Sequence, residues 1–219
     1  MEIIPIKITT LSPVNYYYLP AAGGMRTSDF LGDIALKYAT LHQYGIMDYS
    51  EPTKFKPSYE ELNEFPFWYS VAINEKLAFG QGNSTFFMKN MIRNTMQGID
   101  YNGTNKFPTF KEGSTMYKNF FFQQPIMPNN TFFAYLIRSS KEFDIPEAVR
   151  IGTNKNGVLK IEKYIGNPFR GVLNAYTIEK IMNKKMPANK EYEYTEHIVL
   201  QYFLLGFFTQ DEILNIYEK

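Results

Sequence analysis

The N-terminal part of the chain alternates apolar and polar residues and then changes to a helical spacing. Residues 3–11 place isoleucine at every second position with Lys7 between two of them, which predicts a β-strand. Pro5 lacks an N–H group, so the first half of this strand is not expected to lie between two partner strands. Residues 28–43 repeat apolar side chains at steps of three and four, which predicts an amphipathic helix that Gly45 ends.

The rest of the chain reads mainly as short strands separated by turns. The candidate strands are residues 68–73, 76–79, 118–123, 131–138, 149–151 and 158–164. Residues 118–123 are expected to pair with 131–138 around residues 125–130. The last two strands are expected to pair with each other, because the dipeptide Asn156-Gly157 between them is typical of a hairpin turn. Helices are predicted over residues 176–185 and 210–219, and the apolar segment 191–208 fits either an extended or a helical chain. One early helix among many strands predicts an α+β fold with an antiparallel sheet.

Composition narrows the chemistry that the chain can perform. It has 219 residues, of which 44% are hydrophobic, enough for a substantial core. Cysteine is absent and histidine occurs twice, which excludes disulfides, thiolate metal sites and a histidine-rich metal cluster. We therefore predict neither a metal nor a cofactor.

The sequence contains no signal for secretion or membrane insertion. The first residues, MEIIPIK, lack a basic region followed by an apolar run, so no signal peptide is expected. The longest apolar run, residues 198–208, is interrupted by Gln201 and is too short to cross a bilayer. We expect a cytoplasmic protein.

The overall charge of +1 hides an uneven distribution along the chain. Residues 1–75 carry a net charge of −4, residues 76–190 carry +10, and residues 191–219 carry −5. A basic middle between acidic ends suits a polyanion-binding surface beside a surface for a protein partner. The alternative is an unevenly solvated lysine surface.

The segment from residue 23 to residue 39 predicts a phosphate site. Gly23 and Gly24 leave room for a close approach by a ligand backbone, and Arg26 offers a bidentate guanidinium. Thr27 or Ser28 would cap the helix that follows, so free N–H groups and the helix dipole would favour an anion there. The alternative is a simple turn with a surface arginine.

Further candidates for contact with nucleic acid lie in the basic middle of the chain. The candidate polar and basic residues are Arg93, Asn94, Lys118, Arg138, Arg150, Lys155 and Lys160. Three of them, Arg150, Lys155 and Lys160, lie on or beside the predicted hairpin, whose tip can enter a groove. Unpaired bases are expected to stack on Tyr16, Tyr17 or Tyr18, although most of the aromatic residues must form the core.

Four stretches of the chain resemble a known protein family. They are residues 24–27 (GMRT) followed by 35–39 (ALKYA), 91–95 (MIRNT), 128–136 (PNNTFFAYL) and 145–152 (IPEAVRIG). In this order, spread over about residues 1–175, they resemble the small 5′-handle-binding subunit of type I-D CRISPR effector complexes, a branch of the Cas-five superfamily.

The resemblance implies both a fold and a function. Residues 1–175 would form an RRM-like, ferredoxin-like RNA-binding domain with inserted hairpins, and residues 176–219 a C-terminal extension packed on the same domain. The chain would be a non-catalytic subunit that caps the 5′ handle of a crRNA. Its expected partners are the crRNA, the backbone-forming and large subunits of the Cascade complex, and the target DNA near the PAM, with sequence reading left to guide pairing.

Two alternatives remain open from the sequence. Some relatives cleave crRNA precursors without a metal, and Lys37, Tyr38 and His42 imitate their histidine, lysine and tyrosine set. Acid–base catalysis needs these groups to converge on one proton, yet the helical period places Lys37 and His42 on different faces. The second alternative is a viral or assembly interaction protein that binds no nucleic acid.

Overall fold

The fold is described from a computed structural model. It describes residues 1–15, 18–21, 24–28, 30–46, 59–80, 92–95, 120–152, 156–187, 192–195 and 203–218. Within those ranges the structure describes only the backbone of residues 18–21, 24–26, 92–95, 120–124, 192–195 and 203.

The described residues form mainly strands. The strands are β1 (Glu2–Thr10), β2 (Tyr18–Ala21), β3 (Gly24–Thr27), β4 (Phe67–Tyr69), β5 (Ile73–Asn74), β6 (Ile92–Thr95), β7 (Phe120–Gln124), β8 (Thr131–Arg138), β9 (Ala148–Ile151), β10 (Gly157–Lys163), β11 (Gly171–Asn174), β12 (Tyr192–Thr195) and β13 (Phe203–Phe208). The helices are α1 (Asp33–Gln43), α2 (Glu75–Ala78) and α3 (Gln210–Glu218), with a 3₁₀ turn at Glu60–Glu64 and a π-helical turn at Thr177–Ile181. No helix among the described residues is long and apolar enough to cross a membrane.

The main sheet has the strand order β4-β8-β1-β10-β9, with β5 also paired to β8. Every pairing in it is antiparallel, so the predicted α+β class with an antiparallel sheet is confirmed. The predicted pairing of residues 149–151 with 158–164 is also confirmed, as β9 and β10. The expected pairing of residues 118–123 with 131–138 is wrong, because β7 instead pairs with β3 and β6 in a separate four-stranded sheet.

Strand β1 runs through the middle of the main sheet with its isoleucines buried. Its polar positions face the other side of the sheet, as the alternation predicts. Strand β10 pairs only with residues 6–10 of β1, so the half that contains Pro5 has a ladder partner on one side, β8. The Pro5 carbonyl still accepts a hydrogen bond from the Tyr164 N–H at 2.8 Å, which begins the turn after β10.

The two faces of the main sheet have different surroundings. One face is the core, where α1 packs beside β4 and β9 over Ile6, Ile8 and Ile161. On the other face, the C-terminal elements cover the β8 half, where Tyr135 stacks on Phe169 with ring centroids 4.4 Å apart. The half formed by β9 and β10 stays exposed. This uneven cover leaves one open sheet surface.

Helix α1 begins later than the sequence predicts. Its N-cap is Gly32 and its first residue is Asp33, whereas Thr27 belongs to β3. The helix ends where expected, since Gly45 takes a φ of +69° and the Ile46 N–H closes the last turn on the Leu41 carbonyl.

Two other predictions of local structure are wrong. Residues 76–79 do not form a strand: the Asn74 side chain accepts a hydrogen bond from the Leu77 N–H at 2.9 Å and caps the short helix α2. The helix predicted over residues 176–185 is reduced to the π-helical turn. In both places a local cap or tertiary packing overrides the apolar spacing.

The C-terminal residues join the same core. Strands β11, β13 and β12 form a three-stranded sheet, so the predicted boundary near residue 175 falls just after one strand of this sheet. Gly171 in β11 lies against Ile213 of α3 and Tyr135 of β8; a Cβ on Gly171 would be 2.6 Å from the Ile213 Cδ1. A larger residue at 171 would therefore require the Ile213 side chain to move.

The side chain of Lys37, a residue of α1, is fully buried in the core. Its Nζ donates a hydrogen bond to the Phe65 carbonyl at 2.9 Å and lies 3.5 Å from the Trp68 ring centroid. Burial lowers the pKa of Lys37 to about 6, while the nearby Asp33 acts in the opposite direction. The folded state therefore holds Lys37 mainly as a neutral amine at pH 8.

This buried amine predicts a pH-dependent stability. The folded pKa lies below the unfolded value of 10.5, so the stability from neutral Lys37 is complete above pH 10.5 and is lost as the pH falls toward 6. Between pH 7 and pH 9 the free energy of unfolding should rise by about 2–3 kcal/mol relative to Lys37→Met. Chemical denaturation at the two pH values measures this. Lys180→Met, at an exposed lysine, is the control and should follow the wild type; a Lys37→Met curve parallel to the wild type would contradict the account.

Candidate nucleic-acid interface

The helix start predicted at Thr27 or Ser28, which would have supplied free N–H groups to the phosphate site, is wrong. The Thr27 side chain is buried and its hydroxyl donates to Asn15 Oδ1 at 3.1 Å, so it neither caps a helix nor faces a ligand. The chain continues in β3 because residues 24–26 pair in parallel with β7, and α1 starts only at Asp33.

The true start of α1 is also unsuited to an anion. The Asp33 carboxylate is buried there and accepts hydrogen bonds from Asn174 Nδ2 and the Thr177 hydroxyl. Burial raises the pKa of Asp33 to about 6, and these hydrogen bonds act in the opposite direction. The protein's own carboxylate thus occupies the position where a bound phosphate would benefit from the helix dipole.

Arg138 belongs to the folded core and not to an open surface. Its guanidinium is buried, with Nε 3.0 Å from Glu2 Oε2 and one terminal nitrogen 2.8 Å from the Phe143 carbonyl. The same nitrogen lies 3.3 Å from Asp144 Oδ1. These partners satisfy the guanidinium inside the protein, so we replace the predicted RNA contact at Arg138 with a structural role.

Several predicted site residues lie outside what the structure describes. Those outside the described residues are Tyr16, Tyr17, Gly23, Lys118 and Lys155. For Tyr18, Gly24, Arg26, Arg93 and Asn94 only the backbone is described, and it places them in the sheet of order β2-β3-β7-β6. In this sheet Gly24 and Arg93 are both in register with Phe122 of β7, one on each side. The backbone therefore places two of the predicted site residues on strands that flank β7.

Two of the predicted residues come together on the open half of the main sheet. Lys160 in β10 is in register with Ala148, and Arg150 lies two residues further along β9. Both side chains are exposed and point away from the core, since Leu159 and Val149 beside them point into it. Diagonal neighbours of this kind are about 7–8 Å apart, with a somewhat shorter Cβ–Cβ distance.

Lys7 extends this pair to a diagonal of three cations. It is in register with Glu162 of β10, which makes Lys160 its diagonal neighbour on the same face. Lys7, Lys160 and Arg150 thus lie on three adjacent strands at equal steps, and we call this set the basic face. The alternation of β1 marks Lys7 as solvent-facing in the sequence, but its place beside Lys160 depends on strand register, which the sequence alone does not show.

Glu162 is the carboxylate within the basic face. Lys160 Nζ lies 2.8 Å from Glu162 Oε1, and both side chains are about half exposed. This hydrogen bond lowers the pKa of Glu162, and the charges of Lys160 and Lys7 lower it further. Glu162 therefore stays ionised at neutral pH and offsets part of the positive charge.

The three residues considered for RNA cleavage do not converge. Lys37 points into the core, while the Tyr38 hydroxyl donates to Glu61 Oε1 at 2.8 Å. His42 lies one turn beyond Tyr38, in the last turn of α1. Because each of the first two groups has its own partner elsewhere, the arrangement offers no shared proton position.

Solved structures with some similarity to this chain include chains of two CRISPR complexes. A chain of the type IV-B CRISPR complex gives a TM-score of 0.39 at 6% identity, over 76% of this chain and 93% of that chain. A chain of the type III-B Cmr-beta complex bound to cognate target RNA and AMPPnP gives 0.45 at 8% identity, over 98% and 88%. Cmr4 (Cas7) of Pyrococcus furiosus gives 0.33 at 9% identity, over 74% and 100%. TM-scores below 0.5 indicate only a distant likeness.

The family is established by a match to the sequence itself. No curated protein matches this chain. The family model of the type I-D CRISPR-associated protein Cas5/Csc1 matches residues 1–198, which include β1, α1 and all three strands of the basic face. This protein therefore belongs to the type I-D Cas5/Csc1 family of CRISPR-associated proteins.

Proposed function

We propose that this protein is a non-catalytic RNA-binding subunit of a type I-D CRISPR effector complex and that it binds crRNA through the basic face. The observation that carries the proposal is the diagonal of Lys7, Lys160 and Arg150 on a sheet surface that no other described element covers. Three cations at regular steps are suited to successive phosphates of one extended strand. Membership of the CRISPR-associated Cas5/Csc1 family supports RNA as the bound polyanion.

The contacts on this face give affinity with little sequence preference. Lys7, Lys160 and Arg150 offer point charges and a guanidinium fork to phosphate oxygens, which are the same in every nucleotide. This is the chemistry needed to hold the constant 5′ handle while guide pairing reads the target. In this proposal the domain is RRM-like, caps the 5′ handle, and contacts the backbone-forming and large subunits near the PAM of the target DNA.

The proposed role is binding without catalysis. Buried Lys37 and the separate partner of Tyr38 favour this role over metal-independent cleavage. A repeat RNA incubated with the full chain in the absence of metal should remain intact. Cleavage that His42→Ala abolishes would favour the nuclease instead.

A protection experiment tests the proposed function. The full chain, co-expressed with the other subunits of its complex and a crRNA, should shield the 5′ end of the crRNA from added nuclease. Arg150→Ala with Lys160→Ala should expose that end, whereas Lys141→Ala with Lys180→Ala, at exposed lysines elsewhere, should leave it shielded. Normal assembly and unchanged protection with the first pair would contradict the proposal.

Removing the negative charge of Glu162 should strengthen RNA binding, the opposite of removing a cation. Glu162→Gln removes the negative charge that pairs with Lys160 and lies opposite Lys7. Single-stranded RNA should then bind roughly threefold more tightly at low salt, because both cations face the phosphates without a competing carboxylate. Glu142→Gln, an exposed glutamate off this face, should have no effect. Weaker binding of Glu162→Gln would place the RNA elsewhere.

A further inference from the structure

A groove lies directly beside the basic face. It has a volume of about 540 Å³, and the residues that line it include Lys7, Glu75, Phe79, Phe133, Tyr164 and Asn167. Lys7 belongs to both surfaces, because on β1 it is in register with Phe133 on one side and Glu162 on the other. A strand whose phosphates follow the basic face therefore reaches the groove at Lys7.

Aromatic rings form one wall of the groove. The rings of Phe79 and Tyr164 each meet the buried Phe133 ring nearly at right angles, with centroids 5.1 Å apart in both pairs. The Phe79 and Tyr164 centroids are only 6.3 Å apart, too close for a flat base to slide between them. Both rings are partly exposed, so a base can stack on the outer surface of Tyr164 instead.

The position of Tyr164 is fixed by the turn that follows β10. Its N–H is held by the Pro5 carbonyl, and its ring lies over Gly166. A Cβ at residue 166 would be 2.3 Å from the Tyr164 hydroxyl, so this ring position requires glycine there. The stacking surface is thus in place before any ligand binds, which lowers the entropic cost of binding.

The groove also carries polar groups suited to the edge of a base. Glu75 and Asn167 are exposed at its rim. A carboxylate accepts hydrogen bonds from an exocyclic amino group, and an amide both donates and accepts. Adenine, cytosine and guanine carry such an amino group and uracil does not.

We propose that the groove binds one unstacked, amino-bearing base of the RNA strand whose phosphates lie on the basic face. The base stacks on Tyr164, its edge meets Glu75, and Lys7 holds the adjoining phosphate. This inference rests on the proposed function and adds a base-binding site to it.

Abasic scanning of a short single-stranded RNA tests the groove. One nucleotide at a time is replaced by an abasic residue, and the affinity of the full chain is measured for each oligonucleotide. We expect one position at which the loss of the base weakens binding about tenfold. Tyr164→Leu keeps an apolar side chain but removes the ring. It should weaken binding of the intact RNA to the same degree, and the abasic substitution should then have no further effect on its affinity.

Three further variants make the experiment specific. Tyr164→Phe keeps the ring and should bind as the wild type does, whereas Tyr44→Leu, at an exposed tyrosine on the end of α1, should leave the abasic effect unchanged. RNA with uridine at the sensitive position should bind about fivefold more weakly than RNA with cytidine there, and Glu75→Gln should remove this preference.

The outcomes separate the groove from the proposed function. If no abasic position weakens binding, or if an abasic position weakens Tyr164→Leu as much as the wild type, the groove is not a base site. The proposed function survives that result if Arg150→Ala still weakens RNA binding. If the full chain binds no RNA at all, both proposals fail.

Discussion

Gly152→Ala is expected to destabilise the folded protein by about 2–4 kcal/mol. Gly152 directly follows β9 and has a φ of +91°, and a Cβ there would be 2.4 Å from the Asn15 carbonyl oxygen. The obstacle is backbone, which cannot rotate away as a flexible side chain can. Asn15 also accepts the Thr27 hydrogen bond, so a shift of Asn15 would disturb β3 as well.

Gly45→Ala is the matched control for this prediction. Gly45 also has a positive φ, +69°, but a Cβ on it would meet nothing within 4 Å. It should therefore show only the backbone strain, about 1 kcal/mol. Chemical denaturation of both variants separates strain from collision. Equal losses of stability in the two variants would mean that the backbone at Asn15 moves aside at no energetic cost, contrary to our expectation.

Replacing Lys7, Lys160 and Arg150 together with alanine should weaken single-stranded RNA binding roughly 100-fold at low salt. Each cation is expected to contribute about 1 kcal/mol through its phosphate contact. The slope of log affinity against log salt should fall by about 2, since a single strand releases about 0.7 counterion per neutralised phosphate. Titrations at several salt concentrations measure both quantities.

The control for the triple variant removes the same charge elsewhere. Lys141, Lys180 and Lys185 are exposed and lie off the basic face, so their replacement by alanine lowers the net charge equally. This variant should keep most of the affinity. An equal loss in both variants would show that RNA responds to total charge and not to the basic face.

The strands of the main sheet could be predicted where their pattern is local. The alternation in β1 and the pairing of β9 with β10, which the Asn156-Gly157 dipeptide suggested, depend on neighbouring residues, and both predictions are confirmed. The start of α1 could not be predicted, because Thr27 looks like an N-cap in the sequence. Its actual partner, Asn15, and the pairing of β3 with the distant β7 are set by tertiary contacts.

The candidate site shows the same division. Arg150 and Lys160 could be chosen from the predicted hairpin, and the structure places them on one face. Lys7 was missed, because its place in the diagonal depends on the register of β1 with a strand about 150 residues later. Arg138 was misassigned for the same reason, since nothing in the local sequence indicates that Glu2 lies beside it.

The most direct test of the account is to locate the RNA on the protein. Zero-length ultraviolet crosslinking of single-stranded RNA to the full chain, followed by mass spectrometry, identifies the peptides in contact. The account predicts crosslinks in peptides that contain β9 and β10, with Tyr164 among the crosslinked residues. Crosslinks confined to α1 and α3, with none in β9 or β10, would contradict it.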